Sequence, residues 1–251
     1  MGRALGEAAH RRHGGRIMIL AIETSVERVG VAVGDHAGPR ASAMLASDRR
    51  HAESLAPMID FVLRQASVTI DAIDHIAVDV GPGLFTGMRV GMATAQTMAW
   101  ALDIPLVAVT SLDAVAWGTG TTESPVAVAL DARRGEVYWA LYRPGRAGTE
   151  PVLLRGPEVS APGDVAIEIA DRGETVLCVG SGFLRHPDEF AALTHAEAGP
   201  ASLAAPRAED VLALGAVRAA RDLTVAADAL EPVYLRAPDA EINWQTREGA
   251  R

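Results

Sequence analysis

The sequence predicts a protein of the α/β class, and three observations support this. Residues 29–33 and 76–80 are short runs of β-branched and apolar side chains, as expected for buried strands. Apolar residues between positions 55 and 63 recur every three or four residues, which is the period of an amphipathic helix. The run at 76–80 leads directly into a glycine-rich loop and then a helical pattern, the order of a β-loop-α unit. With 251 residues, 49% of them hydrophobic, the chain can bury a sizeable core.

The first predicted elements are a β-hairpin and a helix. Residues 17–22 and 29–33 form the two strands, and Glu23-Thr24-Ser25 supplies polar groups that favour a turn. Ser54 is the expected N-cap of the helix, and Pro57 then lies in its first turn, where proline is tolerated. The apolar stripe of this helix consists of Leu55, Met58, Ile59, Val62 and Leu63.

The next elements surround the glycine-rich loop. Residues 76–80 predict a strand, residues 81–87 a loop, and residues 88–102 a helix that ends before Pro105. Residues 106–109 predict another buried strand, and Ser111 is placed to cap a short helix over 112–117. The threonine- and glycine-rich stretch 118–124 is a candidate hinge between two lobes.

The second half of the chain repeats this mixture of elements. Residues 126–130 and 136–142 predict strands on either side of a loop, Asp131-Ala132-Arg133-Arg134-Gly135. A strand over 176–179 is followed by Gly180-Ser181-Gly182, and residues 208–220 show a helical pattern. The last predicted feature is an extended segment that begins at residues 232–236.

Composition limits the classes of function. The net charge of −9 argues against an autonomous nucleic-acid-binding protein, because such proteins neutralise phosphates with cationic side chains. No apolar run reaches the roughly 18 residues that a membrane helix requires. The single cysteine, Cys178, cannot form an internal disulfide, and the first eighteen residues lack the apolar core of a secretory signal. We therefore expect a cytoplasmic protein.

Three interpretations of residues 81–91 remain open. A helix N-terminus after a glycine loop can bind phosphate, but the spacing fits no phosphate-loop pattern and the segment has no lysine. Alternatively, Gly87, Gly91, Ala95 and Ala99 recur every four residues and form a ridge that allows another helix to approach closely. The third interpretation is that this ridge packs within the monomer, as helices on both faces of a sheet commonly do.

Candidate catalytic and metal-binding residues are few. No two of the seven histidines lie four residues apart, the spacing that places two imidazoles on one helix face. Position i+4 from His51 is Leu55, and no serine lies in a Gly-x-Ser-x-Gly elbow. Glu23, Asp79 and Asp131 lie at predicted strand ends, where carboxylates act as metal ligands, general bases or turn formers. The sequence predicts no catalytic, cofactor-binding or metal site in this chain.

Five segments together resemble the bacterial TsaB family, formerly called YeaZ. These segments are Ile19-Leu20-Ala21-Ile22-Glu23-Thr24-Ser25, His51-Ala52-Glu53-Ser54-Leu55-Ala56-Pro57-Met58-Ile59, Gly81-Pro82-Gly83-Leu84-Phe85-Thr86-Gly87-Met88-Arg89-Val90-Gly91, Asp131-Ala132-Arg133-Arg134-Gly135-Glu136-Val137-Tyr138 and Pro232-Val233-Tyr234-Leu235-Arg236. The glycine segment is the most specific of the five. The resemblance extends over residues 19–236.

The resemblance implies an actin-like (ASKHA, ribonuclease H-like) fold of two lobes with mixed sheets flanked by helices. It divides the chain into an N-terminal extension (1–16), a first lobe (17–117, with a return helix at 206–222), a second lobe (118–205) and a C-terminal tail (223–251). Members act in tRNA threonylcarbamoyladenosine synthesis as non-catalytic subunits. They dimerise with and activate the transferase TsaD, which modifies the adenosine beside the anticodon in tRNAs that read codons beginning with A.

The resemblance also implies where partners and cofactors bind. The ATPase TsaE joins the assembly, ATP and metal belong to TsaD and TsaE, and tRNA is reached only through the complex. The isolated chain could also form a homodimer. The expected partner surface consists of His51, Ser54, Leu55, Met58, Ile59, Val62, Gly87, Met88, Gly91, Met92, Ala95 and Ala99.

Two positions depart from the family pattern. Leu84 stands where serine is usual, and Glu23 where aspartate is commoner, and both changes argue against nucleotide binding by these loops. The alternative functions are an independent ATPase or kinase of the actin-like fold, suggested by the strand-end acids, and a metallopeptidase, against which the histidine spacing argues.

Overall fold

The fold is described from a computed structural model, which covers residues 17–46, 51–146 and 148–236. The predicted extension over residues 1–16 and the part of the tail beyond residue 236 lie outside the described residues. Within the described residues, no helix is both long enough and apolar enough to cross a membrane.

The first lobe contains a mixed five-stranded sheet. Its strands are β1 (Ile19–Glu23), β2 (Arg28–Asp35), β3 (Gly38–Ala46), β4 (His75–Asp79) and β5 (Leu106–Val109). Their order is β3-β2-β1-β4-β5. β1 pairs antiparallel with β2, and β2 with β3, whereas β1, β4 and β5 run parallel to one another. β1 therefore has a hairpin on one side and parallel strands on the other.

The second lobe repeats this topology. Its strands are β6 (Val126–Asp131), β7 (Val137–Arg143), β8 (Val152–Ser160), β9 (Val176–Val179) and β10 (Ala196–Ala198). Their order is β10-β9-β6-β7-β8, so β6 occupies the place of β1. β6, β7 and β8 pair antiparallel in succession, and β6, β9 and β10 run parallel. The chain thus contains two sheets with one strand order.

Helices cover both faces of the first sheet. The helices are α1 (His51–Gln65), α2 (Phe85–Leu102), α3 (Ser111–Gly118), α4 (Pro162–Asp171), α5 (Ser181–Arg185), α6 (Pro187–Phe190) and α7 (Ala208–Ala219). Leu20 and Ile22 of β1 lie in the core that contains the apolar sides of α1 and α2. Ile19 and Ala21, which alternate with them, pack with α7 on the other face. This alternation follows from the period of two along a strand.

Three helices begin at residues other than those predicted. α1 already includes His51, so Ser54 is an interior residue rather than the N-cap, and Pro57 lies beyond the first turn. Thr110, not Ser111, caps α3, because the Thr110 side chain accepts a hydrogen bond from the Asp113 amide. α2 begins at Phe85, three residues earlier than the glycine content suggested.

The prediction also missed β3, β8, β10 and the helices α4 to α6. β3 is mostly exposed and contains no valine or isoleucine, so it lacks the pattern of a buried strand. β8 includes a Gly-Pro pair that the sequence rules assign to a turn. The predicted strands at 126–130, 136–142 and 176–179 and the helix at 208–220 are confirmed to within one residue at each end.

Candidate functional site

The candidate site lies where the central strands of the first lobe end at the gap between the lobes. Glu23 is the last residue of β1 and Asp79 is the last residue of β4. Because β1 and β4 are parallel neighbours, both carboxyl groups reach the same edge of the sheet. In open α/β sheets this edge is the usual position of ligand sites.

One hydroxyl group links the two acids. Ser25 Oγ lies 2.7 Å from Glu23 Oε1 and 3.0 Å from Asp79 Oδ2. A serine hydroxyl has a single proton, so it can donate to only one of them, and the other contact requires a protonated carboxyl group. The second oxygen of Asp79 accepts from the Gly81 amide and the Ser111 hydroxyl, both at 2.7 Å. Besides Ser25 Oγ, Asp79 thus has two donors, whereas Glu23 has one, the Ser25 amide at 2.6 Å, and we therefore place the proton on Glu23.

The pKa shifts agree with this assignment. Burial, together with the nearby charge of Asp79, raises the pKa of Glu23 to about 8. Burial raises the pKa of Asp79 to about 6, against the opposing effect of its hydrogen bonds to Gly81, Ser111 and Ser25. Both side chains are almost completely inaccessible to solvent. The acids therefore satisfy one another through Ser25 instead of presenting two carboxylates to the gap.

The glycines of α2 bring this helix against the end of β1. A Cβ atom on Gly87 would lie 2.2 Å from the Thr24 carbonyl oxygen, and one on Gly91 would lie 2.2 Å from Thr24 Oγ1. Thr24 Oγ1 also donates a hydrogen bond of 2.9 Å to the Gly87 carbonyl. The ridge of small residues on α2 thus packs against β1 within the monomer, as the third interpretation expects, whereas contact of these residues with a partner stays a prediction.

Most of the predicted partner residues are buried in the monomer in the same way. Ten of the twelve predicted residues are buried in the monomer, four on α1 and six on α2. These are His51, Leu55, Ile59, Val62, Gly87, Met88, Gly91, Met92, Ala95 and Ala99; Ser54 and Met58 are half-buried. The apolar period that identified them marks the side that covers the sheet.

The outward side of α2 is a different stripe. Arg89, Ala93, Thr97 and Trp100 are exposed, and they alternate with the buried glycines and alanines along the helix. Trp100 is 82% exposed, and Phe61 on α1 is 46% exposed. Large exposed aromatic side chains are typical of protein-protein interfaces.

His51 has a structural role in this region. Its Nε2 atom lies 2.9 Å from the Val26 carbonyl oxygen, and the side chain is buried. This contact joins α1 to the turn between β1 and β2. No group of three or more metal-ligating side chains occurs among the residues that the structure describes.

The rim of the gap contains residues that sequence reasoning did not select. A cavity of about 350 Å³ lies between the first turn of α2, the loop after β6, and residues 233–236. The Val233 amide donates to the Val80 carbonyl at 2.8 Å, and Arg236 Nη1 donates to the Ala132 carbonyl at 2.9 Å. The tail therefore crosses from one lobe to the other. The only sequence signal for this was that residues 131–138 and 232–236 are two of the family segments.

The duplicated strand order, with the candidate site between two lobes, defines the class as an actin-like, ribonuclease H-like fold. Residues 45–244 match the family model described as "TsaD: tRNA N6-adenosine threonylcarbamoyltransferase". The tRNA threonylcarbamoyladenosine biosynthesis protein TsaB of Escherichia coli is 33% identical over 87% of this chain and 94% of its own length. The chain therefore belongs to the TsaB (YeaZ) family, within the broader group that this model describes.

Other relatives agree with this assignment. The Bacillus subtilis TsaB protein is 30% identical over 90% of this chain and 97% of its own length. An uncharacterized protein of Mycobacterium leprae is 36% identical over 89% of this chain, which spans only 56% of that longer relative. The solved structure of YeaZ from Pseudomonas aeruginosa superposes with a TM-score of 0.76 at 32% identity, covering 87% of this chain and all of that one.

Proposed function

We propose that this chain is a non-catalytic subunit in the synthesis of threonylcarbamoyladenosine in tRNA, acting in the cytoplasm. It pairs with a TsaD-type transferase through the outer faces of α1 and α2, and the ATPase TsaE joins the pair. The modified nucleoside is the adenosine beside the anticodon in tRNAs that read codons beginning with A. Family membership supports the pathway, and the exposed Trp100 on α2 is the observation that supports the pairing.

The geometry at the strand ends supports an accessory role. A general base or a metal ligand requires a carboxylate that is free to meet substrate or cation. Here Ser25 hydrogen-bonds to both Glu23 and Asp79. The Ser111 hydroxyl and the Gly81 amide donate to Asp79. We therefore assign the ATP and metal sites of the assembly to TsaD and TsaE.

The outer helix faces can form a close contact with another helix pair. Ala93 and Thr97 are small and exposed at the middle of α2, so a partner helix can approach them, and Trp100 supplies a large apolar anchor. α1 lies beside α2 on the same face of the sheet and adds the exposed Phe61. A rigid pair of helices of this kind would hold the transferase in its active arrangement.

Trp100→Ser and Ala93→Arg test the pairing. Trp100→Ser should weaken TsaD binding at least tenfold in calorimetry, since buried tryptophans at interfaces contribute about 2 kcal/mol or more. Ala93→Arg should abolish co-elution, because a long cation would occupy the position of the partner helix. Ile167→Arg is the matched control, since Ile167 is a comparably exposed apolar residue on α4. Unchanged affinity for both α2 variants would contradict the proposed interface.

An omission experiment tests the accessory role itself. The chain, TsaD and TsaE are combined with tRNA, threonine, bicarbonate, ATP and the enzyme that makes the threonylcarbamoyl adenylate, and each protein is left out in turn. Modification should be lost when this chain is absent, although the chain alone should neither modify tRNA nor turn over ATP. ATP turnover by the chain alone would instead favour an independent ATPase of the actin-like fold.

A further inference from the structure

Exposed aromatic and arginine side chains gather at the mouth of the gap between the lobes. We define the cleft rim as Phe85, Arg89, Arg133, Arg134 and Tyr234. The rings of Phe85 and Tyr234 stack with their centroids 5.5 Å apart, and the Arg89 guanidinium lies 3.9 Å from the Phe85 centroid. Phe85, Arg133, Arg134 and Tyr234 all line the 350 Å³ cavity. Stacked aromatic rings beside guanidinium groups form a surface on which unpaired bases can stack.

The rim is rich in arginine although the chain is acidic overall. Arg185 and Arg236 lie beside the three rim arginines, so five guanidinium groups gather here in a chain with a net charge of −9. Carboxylates that contact them include Glu27 and Asp131 on Arg133, Asp131 on Arg185, and Glu136 on Arg236. Guanidinium groups concentrated at one edge of a cleft attract phosphate groups.

The loop after β6 holds two arginines in an unfavourable conformation. Arg133 and Arg134 have φ angles of 64° and 57°, followed by Gly135 at 77°. The left-handed conformation costs a residue with a side chain roughly 1–2 kcal/mol, and glycine avoids most of that cost. Both arginines are exposed, so packing in the core does not require their side chains. The hairpin turn between β6 and β7 requires positive φ at its central positions, and arginine stands at position 134, where glycine or asparagine would cost less.

We propose that the cleft rim binds an unpaired segment of the tRNA that the assembly modifies. The inference rests on the proposed function, which supplies the RNA, and it adds the contact that this chain makes. Phe85 and Tyr234 stack on bases, and Arg89, Arg133 and Arg134 contact the backbone phosphates on either side. The overall negative charge means that the rim adds to the affinity of the assembly, while TsaD provides most of it.

The rim fits a continuous strand better than a free nucleotide. A nucleotide with its metal would require carboxylates at the floor of the gap, and Glu23 and Asp79 are buried and hydrogen-bonded there. The rim arginines are exposed instead, so an RNA strand bound to them can continue in both directions. Double-stranded RNA would hide the faces of its bases from Phe85 and Tyr234, so an unpaired segment is required.

Arg134→Gly separates binding from stability. Glycine relieves the left-handed strain at position 134, which offsets the loss of the arginine side chain's own contacts, so the thermal midpoint should stay close to the wild-type value, while tRNA binding should weaken. Loss of one phosphate contact should lower the affinity about fivefold at about 0.1 M salt and reduce the salt slope by about 0.7. Tyr234→Leu should weaken binding about tenfold, because a stacked base contributes about 1–3 kcal/mol.

The measurement is fluorescence anisotropy of a labelled tRNA with the complex of this chain and TsaD. Ser67→Gly, which relieves a left-handed residue with φ 54°, and Arg155→Gln, which removes an exposed cation on β8, are the matched controls. Both controls should bind like the wild type. If Arg134→Gly and Tyr234→Leu bind tRNA with unchanged affinity in an intact complex, the proposal that the cleft rim binds tRNA is overturned. Displacement of the tRNA from the rim by ADP would overturn it as well.

A cross-linking experiment distinguishes the failure of this inference from that of the proposed function. Thiouridine-substituted tRNA is irradiated with the wild-type chain, both in the mixture with TsaD and alone, and the attached peptides are identified by mass spectrometry. Attachment at Phe85 or Tyr234 supports tRNA binding by the cleft rim. If no complex with TsaD forms but the tRNA still attaches there, only the proposed pairing with TsaD is refuted. Attachment confined to other peptides overturns the rim and leaves the pairing intact.

Discussion

At the scale of single residues, the buried acids Glu23 and Asp79 both contact Ser25, and the proton lies on Glu23. Ser25 Oγ contacts both carboxyl groups, and one of those contacts requires a proton on an acid. The pKa of Glu23 is raised to about 8 and that of Asp79 to about 6. The folded protein therefore binds protons that the unfolded chain releases at lower pH.

Glu23→Gln should change the dependence of stability on pH. The pKa of Glu23 is 4.5 in the unfolded chain and about 8 in the folded protein. The stabilisation that its proton gives the folded state is therefore fully present below pH 4.5 and is lost as the pH rises through about 8. The wild-type protein should thus lose free energy of unfolding between about pH 4.5 and about pH 8. The glutamine side chain cannot ionise, so the variant should lose less, and urea unfolding at several pH values measures the difference. Parallel curves for the two proteins would contradict the assignment of a proton to Glu23.

At the scale of elements, α2 shows how one helix separates an inner side from an outer side. Gly87 and Gly91 face Thr24 at distances that leave no room for a Cβ atom, and Ala95 and Ala99 continue that side into the core. Thr97 and Trp100 face outward. Helix α2 can therefore join the monomer core and a partner surface at once.

Gly91→Ala and Gly163→Ala form a matched pair. Alanine is favoured over glycine in a helix by about 1 kcal/mol, so both changes would stabilise the protein if packing were irrelevant. At Gly91 the new Cβ atom would lie 2.2 Å from Thr24 Oγ1, and overpacking should destabilise the fold by about 1–3 kcal/mol. Gly163 in α4 has open space, so its substitution should be neutral or stabilising. Denaturant unfolding measures both, and equal stabilisation would contradict the packing of α2 on β1.

At the scale of the whole molecule, Arg218 joins the two lobes through a network of hydrogen bonds. It donates to Glu150 Oε2 at 2.8 and 2.9 Å, to Asp113 Oδ2 at 2.9 Å, and to the Ala108 carbonyl at 2.7 Å. Tyr142 of β7 donates to the other oxygen of Asp113 at 2.9 Å. This network connects α7 and β5 of the first lobe, through α3, with the second lobe.

Arg218→Met should destabilise the protein substantially. The variant leaves Asp113 partly buried without its cation and leaves Glu150 with only Arg221, at 3.5 Å; removal of one partner from a buried ion pair costs about 3–5 kcal/mol. We expect about 2–3 kcal/mol, because these side chains retain some contact with water. Arg155→Gln breaks an exposed pair with Glu158 and should cost less than about 1 kcal/mol. Thermal unfolding measures both, and a similar small loss in the two variants would show that the network is not stabilising.

Local sequence patterns determined much of the architecture. The β-branched runs identified the central strands of both lobes, and the apolar periods identified α1, α2 and α7. The glycine segment, with four others, also identified the family. These features are local, because strand and helix periods arise from the geometry of neighbouring residues along the chain. Elements such as β3 and β10, which are largely exposed and contain no β-branched residue, were missed; α4 was missed although Val165 and Ile169 give it a regular buried side.

Only the tertiary structure decided which side of each helix faces which neighbour. The periodic residues of α1 and α2 are apolar whether they contact a sheet or a partner, so the pattern could not distinguish Gly91 inside from Trp100 outside. It also decided that Glu23 and Asp79 meet through Ser25, and that Phe85 and Tyr234, which are distant in the chain, stack at one rim. Such contacts depend on how distant segments are brought together, and the local sequence does not contain that information.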